Sequence, residues 1–152
     1  MKKADLIEKA YSVFSNFEKP DQFTKYTDFE DAEFNPMLLS ASRRSLTIEQ
    51  VGTVGWGPIP SMNPEALAYF MPRLIELAVT GAIDRDDDPF FCLFINAFHD
   101  DSDAERFRLF GLDQKAVMAD TFKFLCQNYQ KKLEIEGWLS ESQQAAIDWS
   151  RT

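Results

Sequence analysis

The run Phe90-Phe91-Cys92-Leu93-Phe94-Ile95-Asn96-Ala97-Phe98 holds a single polar side chain, Asn96. Wound as a helix, it presents apolar groups nearly all round, so it belongs in the middle of the molecule with other elements covering it. Asp88 is a suitable N-cap and Pro89 suits a first helical position, which predicts a helix over Pro89–Phe98. A buried strand is the alternative, since ten apolar residues do not settle the period.

The covering faces are legible on both sides of that run. Asn63-Pro64-Glu65 supplies a cap, a first-turn proline and an acid at the positive end of the helix dipole. Leu67, Phe70, Met71, Leu74, Ile75 and Ala78 then follow at helical spacing, and Gly81 is a C′ residue, which predicts a helix over Pro64–Thr80. Pro72 lies inside it and predicts a kink. Leu6, Ile7, Ala10, Tyr11, Val13, Phe14 and Phe17 give an amphipathic stripe over Ala4–Phe17. A weaker helix is expected over Asp28–Ser42, and a short one over Ile48–Val51 behind a Thr47–Gln50 capping box. Ala104–Phe110 reads as a short helix closed by Gly111. Asp113 caps a long one reaching Glu136, with Gly137 as its stop. Ser140 and Gln143 form another capping box ahead of a terminal helix. The expectation is an all-α fold of six or seven helices in one domain spanning residues 1–152, with 45% apolar content to fill its core.

Charge narrows the partners. Sixteen Lys and Arg stand against 25 Asp and Glu, giving −9. Nucleic acids and anionic membrane surfaces draw their affinity from basic side chains, so neither is an expected partner. No apolar window reaches the length of a membrane span. The start Met1-Lys2-Lys3-Ala4-Asp5-Leu6-Ile7-Glu8 interrupts any apolar core of a secretory signal. Cys92 and Cys126 sit in apolar helical patterns without a CxxC partner, which reads as reduced core thiols in the cytoplasm.

Few residues offer chemistry. Gly52, Gly55, Gly57, Pro58 and Pro60 make a loop that lacks the GK[ST] ending of a phosphate loop, and its Trp56 is expected to plug the core. His99, the single histidine, stands at the end of the apolar run and suits a C-terminal cap. One histidine and two dispersed cysteines do not make a usual zinc centre. Asp84, Asp86 and Asp88 copy the first alternate ligands of a calcium loop, but Pro89 and Ile95 occupy the positions of its glycine and glutamate. A divalent cation held by Asp84, Asp86, Asp88, Asp100, Asp101 or Asp103, serving an enzyme, is therefore an alternative reading. The two clusters flank one helix about 15 Å long and cannot share an ion unaided. No catalytic residue and no cofactor are expected.

The run Met62-Asn63-Pro64-Glu65-Ala66-Leu67-Ala68-Tyr69-Phe70-Met71-Pro72 follows Gly55-Trp56 and precedes Leu112-Asp113-Gln114-Lys115-Ala116-Val117 and Phe124-Leu125. With these motifs the chain resembles a small bacterial family of unknown function. Its members carry a "tpEalayylPayl" helix and a later "Lt-x-x-Q-x-x-Av-x-x-FL" helix. The likeness covers Trp56 to Tyr129, with Asp113 where Thr or Ser is common. It implies one all-α domain without an assigned activity. What remains is surface: an acidic body suited to protein–protein interaction with a basic protein, as an accessory or immunity-type module. Trp56, Tyr69, Trp138 and Trp149 are the aromatic candidates to anchor such an interface.

Overall fold

Asn63 begins the helix at the centre of the molecule and ties a distant segment to it. Its side-chain oxygen accepts from Ala66 N at 2.8 Å, while its amide donates to Gln22 O and its backbone N–H to Phe23 O. The computed structural model describes residues 1–24, 29–52, 57–84, 86–100 and 102–151. Among them are eight α-helices and no strand: α1 (Lys3–Val13), α2 (Phe29–Ser40), α3 (Ile48–Val51), α4 (Pro64–Val79), α5 (Phe90–Phe98), α6 (Leu112–Asn128), α7 (Gln130–Glu136) and α8 (Leu139–Ser150). The all-α expectation holds, and the strand alternative for residues 89–98 does not.

Helix α4 packs on α1, α5 and α6, and eleven of its sixteen residues are buried. It runs through the buried Pro72 as one element, and left-handed Gly81 closes it, with Ala82 N donating to Leu77 O. Helix α5 is buried at seven of nine positions, as an element apolar on all sides must be. Among the described elements, helices α6 and α8 pack most extensively against each other. The hydrophobic core is one continuous cluster drawing on all eight helices.

Several local expectations are corrected. Asp88 does not cap α5. Asp84 Oδ1 accepts from both Asp86 N and Asp88 N, the Asp84 N–H returns to Asp88 O, and Phe90 N donates to Ala82 O. This closed turn leaves Pro89 extended, as the residue before α5, opposite Ile83. Asp113 does not cap α6 either, because the helix begins one residue before it. Its flanking residue is Gly111, whose N–H donates to Gln114 Oε1. The long helix predicted to Glu136 breaks at Tyr129 (φ −127°), whose hydroxyl is drawn to Val79 O at 2.8 Å and whose ring stacks on Phe91. Ser140 and Gln143 do not open α8, which starts at Leu139 behind Trp138. The Ala104–Phe110 helix shrinks to a 3₁₀ turn over Glu105–Phe107, and α1 ends at Val13, short of Phe17.

Candidate functional site

The hollow that gathers the most distinctive chemistry lies where the turn before α5 meets the junction of α7 and α8. It has a volume of about 240 Å³. Two local stops build it. On one side, Thr47 accepts from Gln50 N while Gln50 Oε1 accepts from Thr47 N, so α3 is a capped single turn that places Ile48 and Gly52 at the edge. On the other, Gly137 is left-handed (φ 78°) and Trp138 N donates back to Leu133 O at 2.9 Å. That Schellman-type ending reverses the chain directly after Glu136 and sets Trp138 in the wall. The Trp138 carbonyl then accepts from Ser142 N, so the same residue opens α8.

Apolar walls come from Pro89, Phe90, Leu93 and Trp138, and the carboxylates are those of Asp84, Asp88 and Glu136. Their states differ. Asp84 spends one oxygen on two backbone N–H groups of its own turn. Glu136 pairs with Lys132 of the preceding helical turn at 3.0 Å, and this pairing raises the Lys132 pKa. Asp88 is exposed, and its carboxylate accepts no hydrogen bond among the described residues. Cys92 also lines the hollow, but burial, seconded by Glu136, pushes its thiol up to about 11. It is a protonated thiol at neutral pH and not a nucleophile. Burial likewise raises Cys126, whose S–H donates to Ser142 Oγ at 3.3 Å. Both cysteines are free.

The other candidates scatter. Trp149 is 1% exposed, donates from its indole N–H to Phe98 O at 3.0 Å and meets Phe107 and Phe110 edge-on or tilted. It is a core residue and offers no surface anchor. Tyr69 is half-buried and claimed by Arg43, whose guanidinium lies 4.6 Å from the ring centroid and donates to Tyr69 O. The same guanidinium donates to Phe14 O and Phe17 O, fastening the chain that leaves α1. Trp56 and Asp101 lie outside the described residues. His99 is the C-cap of α5, 4.0 Å from Asp100 Oδ1, with its ring 5.9 Å from Trp138. Asp86 and Asp103 are exposed. Asp84, Asp86 and Asp88 precede α5 while Asp100 and Asp103 follow it, and among the described residues no three His, Cys, Asp or Glu side chains converge to hold a metal ion.

Of the residues read from sequence, the fold therefore brings together Asp84, Asp88 and Trp138. It adds Cys92, which the sequence offered only as a core thiol and which lies four residues after Asp88, and Glu136, for which the sequence carried no signal because it lies 48 residues from Asp88 along the chain. No described helix is long and apolar enough to cross a membrane. Compared with protein-family models, curated proteins and solved structures, the chain matches none.

Proposed function

We propose that the protein is an interaction module of the cytoplasm that holds a basic partner protein, in the manner of an accessory or immunity-type protein. The observation that carries this reading is the hollow beside α5, where three carboxylates and Trp138 share one concave surface on a chain of charge −9. An excess of one charge speeds encounter with its opposite, and an aromatic in a concave site is a common energetic anchor. The two protonated, free thiols accord with a reducing compartment. The alternative, a cation-dependent enzyme at the aspartates, has no converging ligand set among the described residues to support it.

The test is capture on the immobilised protein from an extract of its own cells at low ionic strength, followed by titration with the purified partner. A basic protein should be retained, and its affinity should fall steeply as salt is added. Retention of no basic protein would overturn the reading.

A further inference from the structure

The hollow is smaller than the roughly 300–1,000 Å³ usual for small-molecule sites. Its size suits one side chain. Its composition suits a long cationic one: apolar walls take an aliphatic stem while carboxylates take the charged end. Resting on the basic-partner reading above, we propose that this hollow is the socket for a single arginine side chain of the partner, held by Trp138, Asp88 and Glu136.

Arginine rather than lysine follows from what is already present. Glu136 has an ammonium of its own chain, Lys132, at 3.0 Å. A partner lysine would merely exchange one ammonium for another. A guanidinium adds a planar face for the indole and a fork of donors that two carboxylates can share, and it is more weakly hydrated than an ammonium. The fold itself repeatedly sets guanidinium groups over rings: Arg43 over Tyr69, Arg44 over Tyr11 at 3.8 Å, and Arg106 over Phe107 at 4.9 Å. Among the described residues no arginine lies over Trp138, whose ring neighbour is His99 at 5.9 Å, although it shares the hollow with Asp84, Asp88 and Glu136.

The experiment titrates the whole chain with a short oligo-arginine peptide and an oligo-lysine peptide of equal length. It compares wild type, Trp138→Ala, the pair Asp88→Asn with Glu136→Gln, and a charge-matched control pair, Glu18→Gln with Asp21→Asn, on the exposed connector after α1. Oligo-arginine should bind wild type more tightly than oligo-lysine, and Trp138→Ala and the cleft pair should each weaken it by about tenfold against about twofold for the control. The Trp138 indole N–H resonance of wild type, which needs no variant to fold, should shift on addition of oligo-arginine. Binding that the cleft variants leave at the control level, with that resonance unmoved, overturns the socket and leaves a basic partner elsewhere on the surface. Equal binding of the two peptides overturns the choice of arginine. Binding of neither peptide overturns the socket and the basic-partner reading together.

Discussion

Trp149 and Glu76 show how much individual side chains carry in this molecule. Trp149 fills the space between α5, α8 and the 105–110 turn, and its indole N–H satisfies the Phe98 carbonyl. Trp149→Phe keeps most of the ring and leaves that buried acceptor without its donor. The expected loss is about 1–3 kcal/mol, read as a lower urea midpoint at unchanged slope. Glu76 joins α1 to α4: Tyr11 Oη and Arg73 both donate to it at 2.7 Å. Burial pushes its carboxyl up, but those two hydrogen bonds and the Arg73 and Arg44 charges outweigh burial and hold it below the ordinary value. A depressed carboxyl stabilises the fold above its unfolded pKa, and that contribution is lost as pH falls through the folded one. Stability should therefore decline on acidification below about pH 4.5. Tyr11→Phe removes one of the two donors, so the acid decline should flatten in equilibrium unfolding followed from neutral pH to pH 3. An unchanged acid limb would show that the Tyr11 bond does not set the Glu76 pKa.

At the scale of elements, helix stops position the site, and two glycines separate the reasons a stop can demand glycine. Gly137 is left-handed, yet an added Cβ would meet nothing within 4 Å. Gly137→Ala should therefore cost only the backbone penalty of about 1–2 kcal/mol. At Gly57 (φ 149°) the Cβ would also fall 2.2 Å from the Val51 carbonyl oxygen, which is backbone and cannot rotate away. Gly57→Ala should cost clearly more than Gly137→Ala in thermal unfolding, and equal losses would contradict the placement of Gly57 against α3. Element boundaries were also where sequence patterns were least complete. Thr47–Gln50 and Asn63 work as their spacing suggests, because a cap is made within three residues. The Ser140–Gln143 spacing is equally good, yet Trp138 takes the start of α8, since the left-handed stop at Gly137 has already aimed the chain. Tyr129 sits on a continuous apolar stripe and still interrupts it, because its hydroxyl reaches the Val79 carbonyl 50 residues away.

Across the whole molecule, the charge of −9 acts on both stability and association. Raising ionic strength from about 0.01 M to about 0.15 M shortens the Debye length from roughly 30 Å to 8 Å and relieves self-repulsion. The melting temperature should rise with NaCl over that range while affinity for a basic partner falls. Mg²⁺ or Ca²⁺ at matched ionic strength should add nothing further, as measured by differential scanning fluorimetry. A saturable additional rise would mean a resident cation site and would favour the enzyme reading.

Fold class was readable from residues alone because periodicity, caps and breakers act over one or two turns, and they identified α4, α5 and α3 close to their observed limits. The aspartates and Trp138 were visible as candidates on the same basis. Which candidates meet was decided only by tertiary packing. Trp149 turned inward and Tyr69 went to Arg43, while Asp88, Glu136 and Trp138 came to share one hollow. Burial and proximity belong to contacts between segments far apart in the chain, and local spacing carries no information about those.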